Sequence, residues 1–368
     1  KSTYYREIKL MKKTVLFERH KELNAKIVDF AGYMMPISYS SVNEEHIHVR
    51  NSVGIFDVSH MGEFEISGLK STEFIQRLCS NDISNIEIGK AQYNCMINES
   101  GGIIDDLIVY RLETKKYLLV VNASNISKNW QWIVDKNNKF NCSISNLSDD
   151  ISLLAIQGPM AESFCQNFTS ENLLSLKNYS FINGEFAGCE DIIISKTGYT
   201  GSGGYEIYTP NNKALKIWDT LFSNKEYDLK PIGLAARDTL RIEMGYCLYG
   251  NDITEETSPL EANLRWITKT QTNFIGSNVI ESEIQTGTKR KLIGFKLLEK
   301  SIPRNGYEIF NLGKKNIGKV TSGTFSPILK IGIGLAYIDY KYLEERIIYI
   351  KIRENFIKAE IVRPPFIN

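Results

Sequence analysis

Two adjacent carboxylates, Asp105 and Asp106, lie within an otherwise apolar stretch, NESGGIIDDLIVY, at residues 98–110. Gly101–Gly102 predicts a turn, and the residues that follow favour a strand. Because successive side chains of a strand point to opposite faces, Asp106 should share one face with Ile104, and Asp105 should lie on the other. A fixed carboxylate can stabilise a developing cation or exchange a proton, but burying one is costly. Alternatively, one aspartate closes the turn and the other is solvated, and neither has a role in catalysis. The sequence leaves both interpretations open.

A third carboxylate, Glu206, is the last residue of the glycine-rich stretch GYTGSGGYE at residues 198–206. This stretch lacks the GxGxxG spacing of a dinucleotide site and is typical of a hairpin. On the second strand of that hairpin, Glu206 should share a face with Tyr208. There it could accept two parallel hydrogen bonds from an amino-pyrimidine edge. The alternative is a cross-strand pair at the surface.

Two arginines, Arg237 and Arg241, lie one turn apart in the predicted helix 230–245. With Asp238 and Glu243 nearby, they could form a salt-bridged helix face. The alternative is that they bind a ligand carboxylate, for which the arginine fork is well suited. The sequence leaves this choice open.

The histidines do not form a recognisable metal site. His46 and His48 of the EEHIH stretch would face apart on a helix, and there is no HExxH or paired-cysteine motif. Ser59 and His60 adjoin each other, but the chain has no GxSxG elbow for a serine nucleophile. We therefore expect no metal.

The bulk composition excludes several classes of protein. Forty-four basic and 43 acidic residues give a formal charge of +1 over 368 residues, so no global field attracts nucleic acid. No apolar stretch approaches the length that spans a bilayer, and we expect no membrane segment. The six cysteines are scattered without a CxxC pair, which indicates reduced thiols in a cytoplasm-like compartment. Residues 1–10, ahead of Met11, are expected to be an extension.

The elements that must position these groups alternate between strands and helices. Strands are predicted within residues 50–68, 98–110, 115–124, 150–159 and 188–210, and helices within residues 71–80, 123–137 and 230–245. From about residue 291 the pattern changes to short glycine-rich strands, which are typical of a small barrel or sandwich. The mixture favours an α+β fold.

Taken in order, these pieces resemble the glycine cleavage T-protein family of tetrahydrofolate-dependent aminomethyltransferases. The resemblance covers essentially everything after residue 12. It is carried by LFERHKELNAKIVDFAGYMMPISY, FDVSHMGEFEISG, GGIIDDLIVY, LAIQGP, TGYTGSGGYEI, GLAARDTLRIEMGYCLYGNDI, SPLEANLRW and GKVTSGTFSP.

The resemblance implies a three-lobed α+β fold with folate in a central channel and a C-terminal β-barrel. We expect a folate-binding catalytic region at residues 11–280, with two interleaved lobes and the second at roughly residues 62–148. The barrel domain is expected at residues 281–368, and residues 1–10 have no counterpart in the family.

The resemblance also implies roles for individual residues. Of the two aspartates, Asp106 is the one that matches the essential catalytic carboxylate of the family. The folate-binding positions that it implies are Glu206, Arg237, Tyr93, Asn122, Met61, Tyr199 and Arg363. Among them, Glu206 matches the acid that grips the pterin edge, and Arg363 is expected to meet the glutamyl tail.

The implied reaction takes an aminomethyl group from the dihydrolipoyl arm of H-protein, releases ammonia and forms methylene-tetrahydrofolate. Tetrahydrofolate is the acceptor substrate and no metal is required. The expected compartment is the bacterial cytoplasm, or the mitochondrial matrix if the source is eukaryotic. Two alternatives are a folate-dependent demethylase of the same fold and a non-catalytic folate-binding protein of iron–sulfur maintenance.

Overall fold

The computed structural model describes residues 11–367. The predicted extension at residues 1–10 lies outside the described residues. The first part of the described chain contains α1 (Phe17–Glu22), β1 (Lys26–Phe30), β2 (Tyr33–Ser38), α2 (Val42–Asn51), β3 (Val53–Asp57) and β4 (Gly62–Ser67). Helix α2 begins where the Ser41 side chain accepts a hydrogen bond from the Glu44 amide. It continues to Asn51, and the first of the strands predicted within residues 50–68 begins at Val53.

The next segment forms most of one sheet and its two covering helices. Its elements are α3 (Ser71–Leu78), β5 (Lys90–Ile97), β6 (Ile103–Glu113), β7 (Lys116–Val121), α4 (Ile126–Asn137) and β8 (Ser143–Asn146). Helix α3 buries an apolar stripe of Phe74, Ile75 and Leu78, as its spacing predicts. The five strands β5-β6-β7-β4-β8 are all antiparallel, and we call this sheet with α3 and α4 the second lobe.

The following segment completes a larger sheet that β3 begins. Its elements are β9 (Ile151–Gln157), α5 (Ala161–Gln166), β10 (Phe181–Phe186), β11 (Cys189–Ser195), β12 (Gly204–Pro210), α6 (Asn211–Ser223), β13 (Leu229–Pro231) and α7 (Leu234–Met244). The strand order is β10-β11-β12-β9-β3-β13, with only the β3–β13 pair parallel. We call this sheet with its helices the first lobe. Helix α7 ends at Met244, and its C-cap residue Gly245 has a φ of +72°, which suits a residue without a side chain.

The C-terminal part is a closed six-stranded barrel. Its elements are α8 (Ser277–Thr286), β14 (Arg290–Leu297), β15 (Glu308–Phe310), β16 (Asn316–Ser326), β17 (Ile331–Asp339), β18 (Ile347–Ile352) and β19 (Asn355–Val362). The strands close in the order β14-β17-β16-β15-β18-β19. The α+β class and the C-terminal barrel predicted from the sequence are confirmed.

The domain boundary expected between residues 280 and 281 falls inside α8. We propose that the boundary lies after this helix, because its C-cap Gly287 precedes β14, the first strand of the barrel. The other expected domain limits stay predictions.

The cores of the lobes meet where the two sheets face each other. Phe56 and Ala155 of the first lobe pack in one buried cluster with Tyr110 and Val120 of the second. Side chains on the opposite faces of the two sheets pack in separate clusters against the helices of their own lobe. Strand β6 therefore has one face toward its own helices and one toward the first lobe.

Candidate active site

One large cavity of about 1250 Å³ lies among the three lobes. Its wall includes Leu107 of β6, Tyr208 of β12, Arg237 of α7 and Ile293 of the barrel. All eight residues that the resemblance implies for the site line this cavity: Met61, Tyr93, Asp106, Asn122, Tyr199, Glu206, Arg237 and Arg363. The fold thus brings them to one place, and their individual roles stay predictions.

Asp106 lies in the wall of the cavity with both carboxylate oxygens held by neighbours. The hydroxyl of Tyr93 on β5 donates to Oδ2 at 2.9 Å. The side-chain amide of Asn122, directly after β7, donates to Oδ1 at 2.8 Å. The neighbouring strand and the loop after β7 therefore fix the orientation of this carboxylate.

Asp105 lies behind Asp106, fully buried and surrounded by amides. Asn125 donates to its Oδ1 at 2.7 Å, Asn129 donates to its Oδ2, and the backbone amide of Asn122 donates to the same Oδ2. The Asn122 side chain also donates to Oδ1 of Asp105 at 2.8 Å, so one amide joins the two aspartates. Neither aspartate is the solvated residue of the alternative interpretation.

A β-bulge changes the faces that the sequence predicts for this strand. Ile97 pairs with Ile103 and Met96 pairs with Asp105, which leaves Ile104 as the extra residue. Ile104 consequently packs with Leu107 in the core under the helices of the second lobe. The expectation that Ile104 shares the face of Asp106 is wrong, because strict alternation fails across the bulge.

Burial dominates the electrostatics of the aspartate pair. It raises the pKa of Asp106, while hydrogen bonds from Tyr93 and Asn122 act in the opposite direction. Burial also raises the pKa of Asp105, and the adjacent charge of Asp106 raises it further. Both carboxyl groups of the pair therefore ionise at a higher pH than an ordinary aspartate does.

Glu206 is buried in the cavity wall on β12, only 7% exposed. Thr197 donates its hydroxyl proton to Oε2, and this is the hydrogen bond that orients the carboxylate. Burial raises the pKa of Glu206, against the effects of Thr197 and of the nearby Arg237. The surface cross-strand pair considered from the sequence does not fit this placement.

The two arginines of α7 have different environments. Arg241 is fully used by protein groups, with Asp252 at 2.7 Å, Asp238 at 2.8 Å and the Ser322 hydroxyl at 2.8 Å. Arg237 lies 4.6 Å above the ring of Tyr199, and its buried Nη1 has no partner among residues 11–367. Burial lowers the pKa of Arg237, which Glu206 partly offsets. Arg237 is thus the arginine left available to a ligand.

The remaining predicted residues complete two regions of the wall. Tyr199 donates its hydroxyl proton to the Cys247 carbonyl and stacks on Tyr246 with ring centroids 5.7 Å apart. Met61 follows the buried His60 at the start of β4. Arg363 is exposed at the barrel side of the cavity.

Sequence reasoning missed several residues that line the same cavity. Arg265 and Lys291 form a cationic region of its wall together with Arg363, and Trp266 lies beside them, 60% exposed. His60, considered only for metal or nucleophile chemistry, lines the wall too. His60 lies inside the quoted FDVSHMGEFEISG stretch and Arg265 inside SPLEANLRW, and that position was the one signal for each. For Lys291 the sequence offered none, since the fold alone brings it to the cavity.

The described residues lack two other features. No group of three or more His, Cys, Asp or Glu side chains within residues 11–367 could hold a metal ion. Likewise, none of the helices in this part of the chain has the length and apolar character needed to cross a membrane.

The chain matches two family models over most of its length. Residues 16–272 match the GCVT N-terminal domain, and residues 290–368 match the glycine cleavage T-protein C-terminal barrel domain. Aminomethyltransferase from Flavobacterium psychrophilum is 51% identical over 358 residues, covering 97% of this chain and 99% of that protein. Aminomethyltransferase from Bacteroides fragilis is 50% identical over 360 residues, with the same coverage.

A solved structure has the same fold. The crystal structure of glycine cleavage system aminomethyltransferase T from Bartonella henselae superposes with a TM-score of 0.91 at 32% identity. The match covers 97% of this chain and 98% of that one. The similarity therefore includes all three lobes.

The amide cluster around Asp105 yields a stability prediction. Asn125→Ala removes a buried donor to a carboxylate, so we expect the free energy of unfolding to fall by about 1.5–3 kcal/mol. Asn138→Ala is the matched control, because this exposed asparagine makes one hydrogen bond, to a carbonyl of its own helix. Urea denaturation compares the two variants. Equal, small losses in both would contradict the structural role of the Asn125 amide.

Proposed function

This chain belongs to the glycine cleavage T-protein family, and we propose that its reaction takes place in the cavity that contains Asp106. The chain is an aminomethyltransferase. Its reaction transfers the methylene of an aminomethyl group, carried on the dihydrolipoyl arm of H-protein, to tetrahydrofolate with release of ammonia. The assignments of substrate and side chains to the cavity below are our proposal.

The reaction balances without an oxidant or reductant. The aminomethyl carbon loses its bonds to nitrogen and sulfur and gains bonds to two folate nitrogens. Two protons leave those folate nitrogens; one ends on the thiol of the lipoyl arm and the other on the departing ammonia. Positive charge develops on the methylene while the first carbon–nitrogen bond is breaking, and this is the charge that the protein must stabilise.

The observation that carries the proposal is the placement of Asp106 in the cavity wall. Tyr93 and Asn122 fix its two oxygens, so the carboxylate is oriented before the substrates arrive. In this desolvated wall a fixed anion stabilises an iminium-like carbon more strongly than it would in water. We assign Asp106 this electrostatic role, together with orientation of the folate nitrogen that attacks.

The size of the cavity fits two ligands. Sites for one small molecule are typically about 300–1,000 Å³, and this cavity has about 1250 Å³. A folate and the end of a lipoyl arm must meet in the same space for the methylene to pass between them. The excess volume supports a site shared by both.

The polar groups of the wall match the two ends of a reduced folate. Glu206 is a buried acceptor that suits the ring N–H and exocyclic amine of a pterin, and Arg237 beside it has an unused donor. The exposed Arg363 suits the carboxylates of the glutamyl tail. Met61 and Tyr199 also line the wall of the cavity.

The proposal also names a partner and a compartment. The family's aminomethyl donor is the lipoylated H-protein, and we propose that this chain accepts its arm through an opening of the cavity. The relatives at about 50% identity are bacterial, so we propose the bacterial cytoplasm as the compartment. Those relatives are named aminomethyltransferases, which favours glycine cleavage over the demethylase and iron–sulfur alternatives.

Asp106→Asn keeps the shape of the side chain and removes its charge. We expect the transfer rate to fall by about two orders of magnitude or more, with folate affinity unchanged within a few-fold. Ammonia release from glycine, in a mixture with the other three cleavage components and tetrahydrofolate, measures the rate. Asp135→Asn, an exposed change on α4, is the control. Near-normal turnover by the Asp106 variant would count against the assignment.

The raised pKa of Asp106 predicts a pH dependence. The ionised carboxylate is the active form, so as pH falls through this raised pKa the group is protonated and the rate declines. We expect the acid limb of the single-turnover rate to lie above the ordinary aspartate range of about 4. It should disappear in Asp106→Asn. A wild-type rate that stays constant down to pH 4 would be inconsistent with this role.

Arg237→Ala removes a buried cation whose Nη1 has no partner among residues 11–367. We expect folate affinity to weaken about tenfold or more, because a donor to the ligand is lost from a desolvated site. Titration calorimetry with a reduced folate measures the dissociation constant. Arg353→Ala, on the exposed β18–β19 turn, is the control. Unchanged affinity in the Arg237 variant would remove Arg237 from the site.

A further inference from the structure

His60 is a buried cavity-lining side chain that the mechanism above does not use. It is 3% exposed, and neither ring nitrogen forms a hydrogen bond with any group of residues 11–367. Its Nδ1 is enclosed, which leaves Nε2 as the ring nitrogen that a ligand in the cavity can reach. Buried polar side chains in folded proteins are nearly always paired, so this unpaired imidazole in a cavity wall indicates a partner that the cavity admits.

The other histidines of the chain are all paired, which makes His60 the exception. His20 bonds Asp57 and Tyr39 through its two nitrogens, each at 2.8 Å. His46 bonds Thr239 at 2.7 Å and Glu243 at 3.0 Å. The Nε2 of His48 bonds two backbone carbonyls.

The ring of His60 is held in place by aromatic contacts. Phe30, at the end of β1, meets it edge to face with centroids 5.3 Å apart, and Tyr33 lies 6.5 Å away. Phe30 and Val58 line the cavity beside it. The imidazole therefore lies in an apolar region, and packing rather than hydrogen bonding fixes its orientation.

The imidazole is neutral at physiological pH. Burial lowers the pKa of His60 to about 4; the charge of Asp57 raises it and that of Arg237 lowers it. A neutral imidazole offers one N–H donor and one nitrogen acceptor. Val58 and Met61, close to His60 in the chain, pack in one cluster with Tyr208, which lies on the same strand as Glu206.

The charge distribution in the cavity decides which part of a folate meets His60. Arg265, Lys291 and Arg363 line the barrel side and suit carboxylates. His60 lies among apolar side chains, where a neutral heterocycle is desolvated at lower cost than an anion. A reduced pterin is such a heterocycle, with donors and acceptors around its edge.

We propose that His60 hydrogen-bonds the bicyclic ring of a bound reduced folate, alongside Glu206 and Arg237. This inference rests on the folate site proposed above. His60 would then contribute to binding of the ring itself, independently of the aminomethyl donor.

Two substitutions separate the hydrogen bond from the packing. His60→Phe keeps an aromatic ring against Phe30 and removes both polar nitrogens. His60→Gln keeps a donor and an acceptor and removes the ring. Titration calorimetry with 5-formyltetrahydrofolate, without H-protein, should give a dissociation constant about tenfold higher for His60→Phe and within about threefold of wild type for His60→Gln. Thermal unfolding of both variants confirms that they fold.

His48→Gln is the matched control, since His48 lies outside the cavity, and its affinity should stay within twofold of wild type. Equal losses in His60→Phe and His60→Gln would overturn the hydrogen-bonding role. Unchanged folate affinity with a raised KM for the aminomethyl H-protein would assign His60 to the donor and overturn the inference. If wild type binds no folate, the proposed function itself fails, whereas folate binding unaffected by His60→Phe contradicts this inference alone.

Discussion

The structure depends on keeping two adjacent carboxylates on one buried strand. Charge repulsion and desolvation both destabilise this arrangement. Hydrogen bonds from the amides around Asp105 offset part of that free-energy cost. The side chain of Asn122 donates to both aspartates, so it couples the buried carboxylate to the one in the cavity wall. The orientation of Asp106 is therefore fixed by groups of the second lobe.

The cavity exists because three lobes meet around this strand. The two sheets pack face to face, and the barrel supplies the wall at Ile293 and Arg363. A buried hydrogen-bond cluster joins helix α7 to the barrel, with Arg241 contacting both Asp252 and the Ser322 hydroxyl. Arg241 is satisfied in this way, whereas the buried Nη1 of its neighbour Arg237 has no partner among residues 11–367.

Much of this arrangement could be predicted from the sequence, because ordered motifs identify the fold and the strand and helix that carry Asp106 and Arg237. Contacts between residues far apart in sequence could not. Only the fold shows that Arg241 is used by Asp252 and Ser322, and that the Nδ1 of His60 has no partner within residues 11–367. The bulge at Ile104 was also hidden, because a periodic pattern carries no sign of one inserted residue.

The most direct measurement is a crystal structure of this chain soaked with a reduced folate. The account predicts that the ring nitrogens which receive the methylene lie within about 3.2 Å of an Asp106 oxygen, directly or through one water. It also predicts that the glutamyl tail extends toward the barrel. A folate bound outside the cavity, or inside it with those nitrogens directed away from Asp106, would contradict the account.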